Sequence, residues 1–261
     1  TPNKNIKDEY SHLGIKIVSP QLESKIKKMR EPNLSKINYL KSIPILKRTI
    51  RSFNPDILHA HYASSYGLVG MLSGFKPFFL SVWGSDIYLF PYKSKLYKWI
   101  LNAVIRYSNE VYSTSIAMKD LVEKEYNRLD LNVIPFGIDL KKFKPSNKTS
   151  NGFVVGTIKS IEDHNGIDCF IDAAKIVIDN YKLDINFLIV GDGSLKNKMQ
   201  EKAKKLKIED KINFKGFVNH EDILKYYSNI SIFIAVSTRE SFGVSVLEAA
   251  ACQIPSITSN V

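Results

Sequence analysis

ESFGVSVLE, residues 240–248, joins an apolar run at 230–236 (ISIFIAV) to a helix-like run continuing through AAAC at 249–252. A strand, a glycine-containing turn and a helix N-terminus in that order hold anions in α/β proteins. The first-turn N–H groups have no intrahelical partner, and the helix dipole is positive at that end. Glu240 falls in the loop, within reach of a ligand's hydroxyls. With a helix start near Phe242, Glu248 falls about two turns into the helix. Alone, the pattern also fits an ordinary helix with a solvated glutamate.

The surrounding sequence repeats the same logic. GDGSLKNKM (191–199) follows the apolar run 185–190 (INFLIV), and NFKGFV (213–218) precedes the strand that feeds Glu240. Periodicity predicts strands at 153–158, 185–190, 212–214, 230–236 and 255–258. Helices are expected at 166–181, 195–207, 221–228 and 243–252. In helix 195–207, Leu195, Met199, Ala203 and Leu206 form an apolar stripe. Strand–helix alternation of this kind predicts a parallel sheet. A polar stretch with Pro145, DLKKFKPSNKTSN at 139–151, marks a domain boundary.

Upstream of that boundary, strands are expected at 15–18 (IKIV), 56–60, 78–82, 110–113 and 132–135. A helix is expected near 94–107, with Leu96, Ile100, Ala103, Val104 and Tyr107 facing the core and Trp99 close to that stripe. Reading Trp99 with Lys93, Lys95 and Lys98 as a membrane foot is the less favoured alternative.

The chain has 261 residues, 44% hydrophobic and 24% charged, which suits one large or two modest cores. No apolar run reaches a membrane span and no signal-peptide pattern opens the sequence. Cys169 and Cys252 lie in apolar, helix-like contexts, as buried free thiols do. Two such residues give neither a disulfide framework nor a zinc spacing, so a reducing cytoplasm is expected. His59, His61 and Asp86 are too sparse for a metal site, and no cofactor is expected, with magnesium held only by a bound diphosphate left open.

The 37 basic and 26 acidic residues leave a net charge of +11. Residues 25–51 carry nine of the basic residues against one acid, Glu31. That segment is expected to meet anionic membrane surfaces, placing the protein peripherally on the inner face. A merely solvated lysine-rich face is the competing reading. Nucleic acid is not an expected partner, because no binding motif accompanies the charge.

The succession of GDGS, FKGFV, ESFGVSVLE and ACQIPSITSN resembles the C-terminal domain of the family-4 retaining glycosyltransferases. The resemblance is strongest over 151–261 and weaker over 54–145. It implies a GT-B fold with two Rossmann-like domains: an acceptor-side domain at 1–140 and a nucleotide-sugar domain at 151–261. The opening residues and the end at Val261 suggest that parts of both domains are missing. The implied activity is transfer of a sugar from a nucleotide-diphosphate donor to a glycan or lipid-linked acceptor, with retention, in polysaccharide or glycolipid assembly. Two alternatives stay open: a nucleotide-sugar epimerase of the same fold, and a non-catalytic module that binds nucleotide or membrane.

The resemblance implies that Glu240 contacts the transferred sugar and Glu248 the ribose. Backbone at Phe242, Gly243 and Val244 would hold phosphate. Charge favours this division, since a carboxylate against a diphosphate would be repelled whereas one displaced along the helix can accept from a diol. Gly191 and Gly193 would allow close donor approach at a strand end. The family commonly carries Arg and Lys in the loop at 156–166. Here Thr157 and Asn165 occupy those positions, leaving Lys159 and His164 as the expected phosphate contacts. In the first domain the family often reads HGSD, where this chain has WGSD at 83–86. Trp83 thus replaces the family histidine, and His61 and Asp86 become the catalytic candidates. NVIPFGID (132–139) resembles the interdomain segment, with Phe136 in place of the usual Asn.

Overall fold

Short apolar runs buried on both sides give parallel strands covered by helices, and here they do so twice. The computed structural model describes residues 13–18, 39–146, 152–181 and 183–261. The chain divides into two units, Thr1–Pro135 and Phe136–Val261.

In the first unit, helix α1 (Ile43–Phe53) precedes strand β1 (Leu58–His61). A π-turn over Ala63–Gly67 leads into α2 (Leu68–Ser73), then β2 (Phe78–Ser81) and the short α3 (Ser85–Tyr88). Helix α4 (Lys95–Tyr107), β3 (Glu110–Ser113), α5 (Ile116–Tyr126) and β4 (Asn132–Val133) complete it. The sheet runs β1-β2-β3-β4, every pair parallel, with Leu58 opposite Phe78 and Phe79 opposite Glu110. Phe78, Leu80 and Val111 meet Leu101, Val104, Ile105 and Met118 in one buried cluster.

Both ends of α4 are fastened. The Ser94 hydroxyl accepts from Tyr97 N at 3.2 Å, capping the start. At the other end, the Arg128 guanidinium donates to the carbonyls of Ile105 (3.1 Å), Ser108 (2.9 Å) and Asn109 (2.9 Å). The Ile105 carbonyl belongs to the last turn, whose acceptors a helix leaves unpaired, the other two follow just beyond it, and a cation there also suits the dipole.

Helix α4 departs from the expected stripe. Its buried face is Leu101, Val104 and Ile105, while Leu96 and Trp99 are exposed. The helix carries apolar residues nearly all round, so periodicity alone does not choose the face; contacts with the sheet do. The expected strand at 15–18 is also absent, and Ile15 and Val18 are exposed. Within the basic segment 25–51, residues 25–38 lie outside the described residues. The remainder contains α1, read from the sequence only as charged surface.

The second unit contains β5 (Phe153–Ile158), α6 (Ile167–Tyr181), β6 (Ile185–Val190), α7 (Lys196–Lys205) and β7 (Ile212–Gly216). The short α8 (Leu224–Tyr227), β8 (Ile232–Ala235), α9 (Val244–Ala251) and β9 (Ser256–Thr258) follow. The order is β7-β6-β5-β8-β9, all parallel. Strand β6 shows why the run INFLIV reads as continuous apolar sequence. Phe187 and Ile189 enter the cluster with Ile171, Met199 and Ala203, while Leu188 and Val190 enter the one with Phe143, Tyr227 and Phe233.

The unit begins before the expected boundary. Phe143 is buried, edge-on to Tyr227 with ring centroids 5.9 Å apart. Residues 136–146 therefore belong with the second core rather than to a polar linker at 139–151, of which 147–151 are not described. Cys169 is exposed and Cys252 half-buried, against the expectation of two buried thiols.

The stripe on α7 lies as expected, with Met199 and Ala203 buried and Leu195 and Leu206 half-buried beside them. Met199→Ala should cost about 2–5 kcal/mol and Leu206→Ala less, because Leu206 keeps part of its surface in water. Urea unfolding midpoints check this ranking, and equal costs would argue against the observed helix face.

Candidate functional site

The carboxyl ends of β5, β6 and β8 bring the sequence-predicted residues of the second unit together. Parallel α/β sheets place ligands at this edge because the loops there lead into helix N-termini.

Lys159 leaves β5 with its side chain only 8% exposed. Its ammonium donates to the Ser237 hydroxyl at 3.0 Å and forms an ion pair with the Glu240 carboxylate. Glu240 also accepts from Ser241 N at 3.2 Å. Burial opposes ionisation of Glu240, but the Lys159 ammonium outweighs it and holds the carboxyl below its ordinary value.

A carboxyl depressed in the folded state stabilises the fold above its unfolded pKa and loses that contribution as pH falls through the folded value. Stability should therefore decline below about pH 4.5. Glu240→Gln should flatten this acid limb in melting temperatures measured across the carboxylate range. An unchanged acid limb would count against the ion pair.

Gly191 and Gly193 lie where the exit loops of β5 and β6 meet. A Cβ on Gly191 would lie 1.9 Å from the Lys159 carbonyl oxygen, and one on Gly193 would lie 2.3 Å from that of Ile161. Lys159 N donates to Val190 O at 3.0 Å, and Ile161 N to Asp192 O at 3.1 Å. The glycines thus let the β5 and β6 exit loops cross in contact, which fixes where Lys159 emerges. His164, in a 3₁₀ turn over Asp163–Asn165, accepts from Thr238 N at 2.9 Å through its backbone carbonyl. This bond ties the β5 loop to the β8 loop. Asn165, at the position where the resemblance calls for Lys, braces the same loop by donating to Ser160 O and Oγ at 2.9 and 2.8 Å.

Gly243 precedes α9 with φ +83°, a conformation that glycine adopts without strain. The helix starts at Val244, so Glu248 sits little more than one turn in, rather than two. Phe242 meets Phe136 edge-on at 5.9 Å. Glu248 is 5% exposed; it accepts from the Tyr227 hydroxyl at 2.7 Å and faces His220 Nε2 at 3.1 Å. Burial, then the Glu248 charge, raise the Tyr227 phenol and keep it a donor. The Lys142 ammonium donates to the carbonyl of His220.

Tyr227, His220, Ser237 and Lys142 escaped the sequence reading. Tyr227 sits in an apolar run and reads as core, which it also is. Asn219–His220 is a polar pair just after a strand, and that was the available signal.

In the first unit, His61 and Trp83 emerge from the carboxyl ends of β1 and β2 with ring centroids 5.3 Å apart. His59 lies 4.3 Å from the His61 ring and 2.9 Å from the Ser81 hydroxyl. These rings line a cavity of about 890 Å³ with Tyr62 and Tyr66. Asp86 is fully buried, accepting from Ala63 N and Gly84 N, each at 2.8 Å, and from Trp83 N at 3.2 Å. Burial pushes its carboxyl up and the N–H donors oppose this. Every one of these bonds goes to backbone, so Asp86 fastens the two loops together. Among the described residues, no group of three or more His, Cys, Asp or Glu could hold a metal ion. No helix there is long and apolar enough to cross a membrane.

Comparison with known proteins finds the family "Glycosyl transferases group 1" over residues 139–261 and "Glycosyl transferase 4-like" over 11–115. An uncharacterized glycosyltransferase of Methanocaldococcus jannaschii is 28% identical over 245 residues, covering 88% of this chain and 64% of that protein. The UDP-Gal:alpha-D-GlcNAc-diphosphoundecaprenol alpha-1,3-galactosyltransferase of Escherichia coli is 27% identical over 250 residues, with the same coverage of 88% and 64%. The chain thus spans a little under two thirds of the length of these relatives. Among solved structures, Anabaena HepE in complex with UDP and glucose has a TM-score of 0.73 at 19% identity, covering 97% of this chain and 69% of that one.

Proposed function

Since the chain belongs to the group 1 glycosyltransferases, a family of GT-B fold with a family-4-like first domain, we propose that the protein transfers a sugar from a nucleotide-diphosphate donor with retention of configuration. The acceptor is a glycan or lipid-linked sugar in polysaccharide or glycolipid assembly. One observation carries the reading above all: Lys159, Ser237 and Glu240 converge at the strand ends, with Glu248 set apart along α9 between Tyr227 and His220.

Transfer breaks the bond between the anomeric carbon and the diphosphate oxygen and forms one, on the same face, from that carbon to the acceptor hydroxyl oxygen, whose proton passes to the departing diphosphate. Negative charge grows on the departing diphosphate. Lys159 and the first-turn N–H groups of α9, beside Phe242, Gly243 and Val244, meet it. Without donor, Lys159 is neutralised by Glu240. Donor binding exchanges partners, so that the ammonium turns to phosphate and the carboxylate to sugar hydroxyls. Glu248, held in orientation by Tyr227 and His220, accepts from the ribose diol. Gly191, Gly193 and His164 shape the loops that position Lys159. In the first unit, His61 takes the acceptor-side role beside Trp83, and Asp86 holds that loop in place.

The test is incubation of the full-length gene product with a panel of nucleotide sugars and candidate acceptors. Nucleotide release is followed, and the anomeric configuration of the product is read by NMR. Release dependent on acceptor, with the donor's configuration kept, supports the proposal. An inverted product would refute retention, and isomerised donor without transfer would identify an epimerase.

A further inference from the structure

Helix α4 has two faces, and only one is accounted for by the core. On the other, Leu96 and Trp99 are 60% and 66% exposed, and Tyr92, just before the helix, is 61% exposed. Leu96 and Trp99, three residues apart, lie along one side of the helix, and Tyr92 stands in the turn Pro91–Lys93 just ahead of its Ser94 cap. The opposite side is occupied by Leu101, Val104 and Ile105 against the sheet. Three large apolar side chains gathered in water within eight residues of sequence form a patch rather than isolated exposed residues.

The charges around them share one sign. Lys93, Lys95, Lys98 and Arg106 are all exposed along this segment. The acid found among them, Glu125, is already paired with Lys98 at 2.5 Å. Lys95, Lys98, Trp99, Asn102, Arg106 and Glu125 line a shallow groove of about 300 Å³. The face therefore offers indole, phenol and isobutyl groups ringed by cations whose charge its own acid does not balance.

We propose that this face of α4 is a docking surface for anionic lipid. Indole and phenol rings settle at the headgroup level, where their apolar body and polar edge are both satisfied. Leu96 reaches the acyl boundary, while the lysines and Arg106 meet phosphate. Complementary charge selects this occupant: a neutral apolar partner would leave the cations without counter-charge, and a polyanion without hydrocarbon would leave Leu96 in water. The inference is independent of the sugar-transfer reading, since it uses no residue of the candidate site.

The chain has two tryptophans, Trp83 and Trp99, so Trp83→Phe makes Trp99 the sole reporter. In that background, the protein is mixed with vesicles of phosphatidylcholine alone or of phosphatidylcholine with phosphatidylglycerol. Brominated acyl chains serve as quenchers. The expected result is a blue-shifted, quenched Trp99 emission with the anionic vesicles only. In co-sedimentation, the pair Lys93→Glu and Lys95→Glu should reduce association about tenfold or more, and salt should reduce it further. Leu96→Ser with Trp99→Ala should also weaken it, with melting temperature unchanged because neither side chain is in the core. Unquenched Trp99 despite sedimentation would place the contact elsewhere and overturn the proposal. So would equal binding to neutral vesicles, absence of vesicle binding, or self-association that is lost in Leu96→Ser with Trp99→Ala.

Discussion

Lys159→Ala in the full-length protein is expected to weaken nucleoside diphosphate binding by roughly 10- to 100-fold while leaving free nucleoside affinity nearly unchanged. The range follows from about 1.5–3 kcal/mol for a hydrogen bond to a charged group. The ammonium is largely shielded from water, with Ser237 and Glu240 as partners, so its interaction with a phosphate is not heavily screened. Its removal also leaves Glu240 half-buried without a counter-charge, and the carboxyl should titrate at higher pH than in the parent protein.

Glu240→Ala should behave in the opposite sense. It frees Lys159 from its internal partner, so diphosphate binding should hold or improve while turnover falls, because the lost contact is to the sugar. Calorimetric titration of nucleoside, nucleoside diphosphate and nucleotide sugar against both variants separates the roles. Normal diphosphate affinity in Lys159→Ala would remove Lys159 from the phosphate site, and normal turnover in Glu240→Ala would do the same for the sugar contact.

Gly191→Ala is expected to be the most damaging single methyl in the second unit. The added carbon would sit 1.9 Å from the Lys159 carbonyl oxygen, and the residue holds φ +146°, which side chains rarely adopt. Strained backbone costs about 1–3 kcal/mol and overpacking typically about 1–3 kcal/mol more. The obstruction is backbone, which cannot swing aside as a long side chain can. The variant should melt well below the parent, and any folded fraction should show weakened diphosphate binding through displacement of Lys159. A fully stable Gly191→Ala protein with normal binding would mean that the two exit loops do not cross as described.

Strands were the most legible part of the chain. The runs FVVGTI and INFLIV are bounded by Gly or polar residues and rich in branched side chains, and 153–158 and 185–190 form β5 and β6 with those bounds. Helix faces were less so. In α7, lysines occupy the outer positions and leave one apolar stripe to choose. In α4, eight apolar residues between Leu96 and Ile105 offer several, and the sheet selects one that periodicity could not. At the site, the strand–turn–helix pattern pointed to Glu240 and Glu248, and the family resemblance pointed to Lys159. Neither could show that Lys159 and Glu240 bond to each other, because that contact spans 81 residues and depends on the neighbouring positions of β5 and β8. Asp86 illustrates the same limit. An acid after a strand draws attention in sequence, and spacing gives no sign of the three backbone N–H donors that converge on it once the loops fold.

The fastening of α4 at both ends bears on the energetics of anything that lands on it. Ser94 fixes the first turn, and Arg128 grips carbonyls at and just beyond the last. A free amphipathic peptide must surrender backbone entropy of about 1–2 kcal/mol per residue when it becomes helical on a surface. Here folding has already met that cost. Trp99 and Leu96 project from a segment that is helical before contact, leaving only side-chain rotamers to be ordered. A modest apolar area and a few cations can then suffice where an unstructured tail of the same composition would fail. Such a contact would form and dissolve without the protein changing its fold.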